Sequence, residues 1–365
     1  MNINKLFNIN FLFLFIVILL ALIGTAALYS AGDGSLNPWA KKHLIRFCIC
    51  FLMLLFISSL KIQTIYKYSY SIYIASLFLL LSVEIIGQLG KGAERWISIF
   101  GVSIQPSELI KVSIILALSK FYHDLRADNI IYIRNLFIPI LIILFPVFFV
   151  IIQPDLGTAL TILLLGTLIM FVAGVRLWKF LFGAIMTLFS MPLIWSYIKP
   201  YQKKRILSFL NPESDPLGQG YQLIQSKIAL GSGALTGKGF LDGTQSYLEY
   251  LPEKQTDFIF TLIGEEFGFI GAIFIIFLFF ILISISFYIS IKTTYVFGRI
   301  LSLGVSINLF LYVIFNIAMV TGLMPVVGIP LPLLSYGGTV MLSIMFSFGL
   351  LLNIDLNFNL KRLES

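Results

Sequence analysis

Apolar runs long enough to cross a lipid hydrocarbon core recur from one end of this chain to the other. About 18 or more such residues in a row span a bilayer. Read against charged punctuation, the runs predict ten helices over 9–30, 43–60, 68–88, 106–122, 134–153, 155–174, 178–198, 257–290, 298–322 and 333–353. Only 12% of the 365 residues are charged, half of the ~25% with which a soluble domain covers its surface. The expected fold is an all-α polytopic membrane protein. It is a single integral membrane domain over 1–365, with about ten transmembrane helices and a long extracytoplasmic loop, 199–256, between helices 7 and 8. The first run, behind Lys5, is too long for a secretion-signal core and reads as an uncleaved helix. The eighth is overlong for one crossing, so its start is expected to stand above the bilayer or to tilt steeply.

No soluble catalytic domain separates the spans, so any chemistry belongs to loops and helix ends at a membrane face. The net charge of +8 comes without a basic cluster interleaved with aromatics, which argues against nucleic acid and for basic cytoplasmic loops. Cys48 and Cys50 lie on different faces of one helix, where they cannot pair. Ten helices put both termini on one side. With the termini in the cytoplasm, the inner segments hold twelve of the 25 Lys and Arg residues and the short outer loops with their helix ends hold six, as the positive-inside bias requires. Lys41, Lys42 and Arg46 at the first outer loop run against it.

In that orientation the unusual polar motifs all fall outside, which makes the outer face the working one. GKGAERW and QPSE join helices 3 and 4, QPD joins 5 and 6, LEYLPEKQTD enters helix 8, and PVVGIPLPLLSYGG joins 9 and 10. Each has a plain structural reading. Proline followed by an acid is how helices start, so Glu108 and Asp155 read as capping residues or as functional ones. Lys111, three residues after Glu108, can pair with it on one helical face at membrane depth, where an ionisable group is functional by default. Arg95, beside Trp96, reads as an interfacial anchor or as a binding group.

In helix 8, Thr256 is placed to cap and Asp257 to follow in the first turn. Thr261, Gly264, Glu265, Gly268 and Ala272 then form one small and polar stripe among Phe, Ile and Leu. The stripe suits a close helix contact or, given Glu265, a wet cavity; Glu266 points towards another helix. The helix dipole favours an ionised Asp257 and burial opposes it, a balance that suits a general base towards a hydroxyl. Lys111 or Arg95 could hold a phosphate-bearing lipid. A divalent cation such as Mg could sit among the outer carboxylates, although they spell no closed ligand set. These residues alone serve an enzyme or a lipid transporter equally.

QPSE (Gln105–Glu108), QPD (Gln153–Asp155), GTQSYLEYLPEKQTDFIF (Gly243–Phe260) and GLMPVVGIPLPLLSYGG (Gly322–Gly338) together resemble the SEDS family (shape, elongation, division and sporulation) over about Gly92–Asn353, and its elongation branch more than its division branch. The resemblance implies a ten-helix inverting glycosyltransferase that polymerises lipid II into β-1,4 glycan strands of peptidoglycan, releasing undecaprenyl diphosphate. It puts the family's essential aspartate on Asp257, an acidic residue eight positions earlier on Glu249, and the lysine after QPSE on Lys111. Where many members have histidine before the Thr-Asp pair this chain has Gln255. Where some have arginine two positions before QPSE it has Ser103, so any phosphate-binding role there is either absent or passed to Arg95. Implied partners are lipid II, the nascent strand, a class B penicillin-binding transpeptidase and other membrane proteins of the elongation complex. In loop 199–256, Tyr221–Leu230 reads as an amphipathic helix that could lie on the membrane plane and sense the transpeptidase. A lipid II flippase or a structural scaffold are the competing readings.

Overall fold

The computed structural model describes residues 10–90, 93–99, 102–125, 132–197, 200–215, 218–247 and 250–358. All ten predicted helices are present: α1 (Phe11–Ala31), α2 (Ala40–Ser59), α3 (Ile62–Ile86), α4 (Pro106–Asp124), α5 (Phe137–Ile152), α6 (Leu156–Val172), α7 (Leu177–Tyr197), α11 (Ile259–Lys292), α12 (Val296–Thr321) and α13 (Gly338–Leu356). Between α7 and α11 lie α8 (Pro200–Leu210), α9 (Gln219–Ser232) and the single turn α10 (Thr244–Tyr247). Among the described residues seven helices are long and apolar enough to cross a membrane by themselves, the exceptions among the ten being α4, α6 and α7.

The polar character of α4 follows from its place. It is buried on every side, from Ser107 through Ser119 with only Leu109 half-buried, packed among α3, α5, α6, α12 and α13. A helix shielded from lipid by neighbours can carry Glu108, Lys111, Ser113 and Ser119, because protein partners rather than hydrocarbon surround them. By contrast, α7 exposes nearly every side chain and, with Phe182, Leu188 and Phe189 outward, suits a lipid-facing position.

The two ends of the bundle differ in chemistry, as the ten-span alternation requires. At one end Asn353 donates to the carbonyls of Ile57, Ser58 and Leu60, Tyr66 meets Asp124, and Lys292 faces Asp355 at 3.8 Å. At the other end lie the QPSE, QPD, KQTD and PVVGIPLP motifs.

Three expectations change at this end. The connection after α3 is a three-stranded antiparallel sheet, β1 (Gln88–Gly90), β2 (Ala93–Ile99) and β3 (Val102–Ile104), in the order β1-β2-β3. Its strands are too short for periodicity to reveal. The 199–256 segment is largely helical, and α9 docks one face on the bundle: Leu223, Ser226 and Ala229 are buried against α11 and α12. Third, α11 begins at Ile259 and is broken at Gly268 (φ 65°, ψ −162°), so its first turns are set off from the 24 residues that continue through the bundle.

Candidate active site

Asp257 stands just ahead of α11 rather than in its first turn, and Thr256 does not cap the helix. The Thr256 hydroxyl donates to the Glu253 carboxylate at 2.9 Å, and Phe258 occupies the cap position without a side-chain hydrogen bond. A tight turn over 252–258 therefore presents Asp257 beside the helix start. Its backbone is held from α12: buried Asn316 donates from Nδ2 to the carbonyls of Asp257 at 2.9 Å and Ile329 at 2.8 Å. One amide thus ties the KQTD turn to the PVVGIPLP loop, and Tyr336 N–H adds a 2.8 Å bond to the Gln255 carbonyl. Gly328 has a left-handed φ of 72°, and a Cβ there would stand 3.3 Å from Asp257 Oδ2. Its lack of a side chain leaves room in front of the carboxylate.

That room is a cavity of about 230 Å³ lined by Arg205, Gly218, Gln222, Glu253, Asp257, Val326 and Gly328. At roughly 30 Å³ per liquid water, it admits the reacting end of a large substrate and not the whole of one. Two carboxylates and one guanidinium meet there. Among the described residues no group of three or more His, Cys, Asp and Glu is placed to cage a metal ion.

The other motifs gather beside this cavity. Asp155 caps α6, accepting from Thr158 N–H at 3.2 Å. It also receives Gln105 Nε2 at 3.1 Å and faces Arg95 Nη1 at 3.7 Å. Arg95 donates further to the carbonyls of Gln153, at 3.0 Å, and Pro154. The capping and ion-pairing readings of Asp155 are thus both realised, and Arg95 braces the QPD turn rather than opening towards the cavity. Gln105 N–H reaches Thr339 at 3.1 Å. Gly157 of α6 lies where a Cβ would meet the Val327 carbonyl at 2.8 Å, which docks this cluster on the PVVGIPLP loop.

Glu108 and Lys111 form the pair expected from their spacing, at 2.8 Å, with side-chain exposures of 5% and 2%. Tyr312 of α12 donates to the second Glu108 oxygen and stacks under the ammonium, 4.1 Å from the ring centroid. Lys111 is thereby enclosed one turn along α12 from Asn316.

Glu265 does not line the Asp257 cavity. It is fully buried and binds Lys238 at 2.7 Å, Thr244 at 3.2 Å and Gln245 N–H at 3.0 Å, so the small stripe of α11 serves close packing. Thr261 meets Ser226 at 2.8 Å, and Gly264 and Gly268 face Leu230, Gly233, Leu235 and Gly237. Glu266 turns to α1, accepting from Ser30. At the break, the carbonyls of Glu265 and Glu266 accept from Lys238 N–H (3.1 Å) and Gly239 N–H (3.0 Å). The amides of Phe269 and Ile270, released by the same break, donate to Ala234 (2.9 Å) and Leu235 (3.2 Å). The 234–239 loop is thus spliced into the helix ladder. Glu249 lies outside the described residues.

Sequence reasoning missed Arg205, Gln222, Glu253, Asn316 and Gly328. Glu253 and Gly328 sit inside motifs that were singled out; Asn316 is one amide in a buried span, and its partners are distant in sequence.

A family model described as cell cycle protein, covering FtsW, RodA and SpoVE, matches residues 4–359. The chain is 41% identical over 286 residues to peptidoglycan glycosyltransferase MrdB of Escherichia coli K12, spanning 78% of this chain and 76% of that protein. It is 38% identical over 358 residues to stage V sporulation protein E of Bacillus subtilis (95% and 96% covered). To a probable peptidoglycan glycosyltransferase FtsW of Trichlorobacter lovleyi it is 37% identical over 370 residues (98% and 95%). A chain solved in a peptidoglycan synthase complex that coordinates polymerization and crosslinking superposes with a TM-score of 0.82 at 27% identity, covering 96% of this chain and 98% of that one. RodA of Thermus thermophilus shares the fold, with a TM-score of 0.72 at 24% identity over 97% and 98% of the two chains. Motifs, ten-helix bundle and relatives agree: the chain belongs to the FtsW/RodA/SpoVE family, the SEDS proteins.

Proposed function

We propose that this protein is a peptidoglycan glycosyltransferase of the elongation branch, polymerising lipid II into β-1,4 glycan strands with Asp257 as general base. The observation that carries the reading is Asp257 itself. It is a carboxylate fixed through its own backbone by Asn316, opening onto a cavity kept clear by Gly328, in a chain 41% identical to a named peptidoglycan glycosyltransferase.

In this mechanism the acceptor 4-hydroxyl gives its proton to the Asp257 carboxylate as its oxygen bonds to the anomeric carbon of the donor sugar. The bond from that carbon to the diphosphate breaks from the opposite face, its electron pair leaves on undecaprenyl diphosphate, and the configuration inverts. Holding Asp257 through its main chain fixes where its carboxylate stands in the cavity wall, the pre-organisation that effective proton transfer needs. Glu253 and Asp257 are the carboxylates that would hold a divalent cation such as Mg²⁺, which takes one or two carboxylates beside phosphate oxygens and would screen the diphosphate. Glu249, Glu108, Lys111, Arg95, Asp155 and Glu265 act as supporting groups, the last five by fixing the elements around the cavity.

The reading includes cytoplasmic termini, an extracytoplasmic active face and a class B penicillin-binding transpeptidase as partner. The relative solved within a synthase complex supports the partner, and the placement of all the polar motifs at one end of the bundle supports the face. The test is lipid II polymerisation by reconstituted protein, wild type against Asp257→Asn, with and without a transpeptidase inactivated at its serine. Polymer is expected from wild type alone, with folding and partner binding retained in the variant. Polymer from folded Asp257→Asn would remove Asp257 as the base, and lipid II crossing vesicles without polymer would favour a flippase.

A further inference from the structure

The cations that open α2 run against the charge bias of the expected orientation, and one of them turns towards the protein. Lys41 and Lys42 are exposed, whereas Arg46, one turn further along the helix, is half-buried. Its guanidinium lies 4.7 Å from the centroid of the Tyr336 ring. It also fills the space beside Gly338, where a Cβ would stand 3.3 Å from Cζ, Nε and Nη1. His43, three residues earlier and therefore on the same helical face, is buried and hydrogen bonds the backbone of Leu333. Thus α2 meets the 333–338 segment at two points, each three residues from the other along both partners, and this sets the register of the segment on the bundle. Leu333 needs such a hold, because its φ of 64° is left-handed, a conformation costly for a residue with a side chain. Gly24 of α1 closes the contact: a Cβ there would stand 2.5 Å from the Leu333 carbonyl oxygen.

The 333–338 segment passes this hold to the turn ahead of Asp257. Tyr336 N–H donates to the Gln255 carbonyl at 2.8 Å, so the residue whose ring faces the guanidinium also grips the chain two positions before Asp257. The connection between α1 and α2 reaches the neighbouring position: Asp33 pairs with Lys254 at 3.4 Å, the lysine side chain 6% exposed and the aspartate 50%. Positions 254 and 255 are therefore both tied to the α1–α2 corner, while Asn316 of α12 ties position 257. The KQTD turn is held from two sides by elements more than 200 residues apart in sequence.

We propose that Arg46 and Asp33 are positioning residues for Asp257: Arg46 acts through the ring and amide of Tyr336 on Gln255, and Asp33 acts through Lys254. The inference rests on the glycosyltransferase reading and adds to it a hold on the general base from the α1–α2 corner. Neither side chain has to touch substrate. A guanidinium suits the task because it is planar, permanently charged and stacks on an aromatic face, which fixes the ring and with it the backbone that carries the ring. Asp257 stands ahead of α11 and outside its hydrogen-bond ladder, so contacts from neighbouring elements decide where its carboxylate lies. A displacement of about 1 Å there is enough to cost ~10²-fold in rate.

The test follows geometry and turnover separately. Hydrogen exchange of the full chain in nanodiscs reads the Tyr336 amide, and lipid II polymerisation with the inactivated transpeptidase gives kcat and KM. Wild type is compared with Arg46→Gln, Arg46→Lys, Asp33→Asn and Lys41→Gln. Arg46→Gln should speed exchange at Tyr336 and lower kcat about tenfold, part of the loss that a full displacement brings, with KM unchanged. Arg46→Lys keeps the charge without the planar face and should recover part of both; it carries the same test if the glutamine variant does not fold. Asp33→Asn should lower kcat about twofold, since an exposed partner contributes less. Exposed Lys41 makes no such contact, and Lys41→Gln should match wild type throughout. A rise in KM with kcat and exchange unchanged would make Arg46 a substrate-binding group and overturn the proposal. Faster exchange with unchanged kcat would reduce the corner to structural support and overturn it equally, as would a loss from Lys41→Gln equal to that from Arg46→Gln. Wild type that makes no polymer while its Tyr336 exchange still depends on Arg46 defeats the glycosyltransferase reading instead.

Discussion

At the residue scale, one amide governs the position of Asp257, the proposed base. Asn316 has both Nδ2 hydrogens committed, to Asp257 and Ile329, and a displacement of about 1 Å at a reacting group can cost ~10²-fold in rate. Asn316→Leu, which keeps the volume and loses both bonds, should lower kcat by about that factor with KM for lipid II little changed; an equal rise in KM would assign Asn316 to substrate binding instead. The Glu108–Lys111 pair calls for different reasoning. Removing one partner of a buried ion pair leaves the other charge uncompensated, at about 3–5 kcal/mol, whereas replacing both with apolar groups is often neutral. Glu108→Gln and Lys111→Met should each lower the thermal midpoint, and the double variant should regain most of it. Polymerisation by the restored double variant would show that the pair supports the fold; inactivity despite restored stability would place it in the chemistry. The pairing itself was legible from a spacing of three. The hydroxyl and ring of Tyr312 that enclose it were not, because 201 positions separate Tyr312 from Lys111.

At the scale of elements, the break in α11 sets where the Asp257 turn can sit. Two helix hydrogen bonds are lost at Gly268, and the 234–239 loop supplies four in their place. Gly268 and Gly237 both hold left-handed φ values, 65° and 83°, and each faces the other segment's backbone so closely that a Cβ would overlap it. Gly268→Ala should therefore cost at least about 1–3 kcal/mol, the usual strain of a non-glycine residue forced into such a conformation. It should also open 233–247 to proteolysis; an unchanged midpoint and digestion pattern would mean that the splice contributes no stability. The stripe of small residues was visible as a periodicity. What filled it was not, since α9 and the 234–239 loop are polar, glycine-rich segments whose docking no local pattern encodes.

At the scale of the molecule, ten spans force an alternation that gathers the catalytic candidates at one end and a basic set, including Lys61, Lys67, Lys120 and Lys292, at the other. Membrane-impermeant thiol labelling tests the orientation. With Cys48, which is exposed, and Cys50, which is buried, both replaced, Lys42→Cys should react from outside intact cells and Lys61→Cys only after permeabilisation. The reverse pattern would invert the topology and put the Asp257 cavity in the cytoplasm. In the expected orientation the α1–α2 connection, with Lys41, Lys42 and Arg46, opposes the charge bias, although Arg46 has a use there, its guanidinium 4.7 Å from the Tyr336 ring centroid.

Span number, span limits, the Glu108–Lys111 pair and the polar motifs that gather at one end of the bundle were written in the linear sequence. The solvent imposes them: hydrocarbon demands long apolar helices with internally satisfied backbones, and that demand acts on consecutive residues. Tertiary structure alone decided which charged groups meet. It enclosed Lys111, turned Arg95 to the QPD carbonyls, sent Glu265 to Lys238 rather than to the cavity, and brought Arg205 and Gly328 to Asp257. Such choices depend on close packing and on hydrogen-bond partners tens to hundreds of residues apart, and in a buried polar site only the folded arrangement satisfies them all.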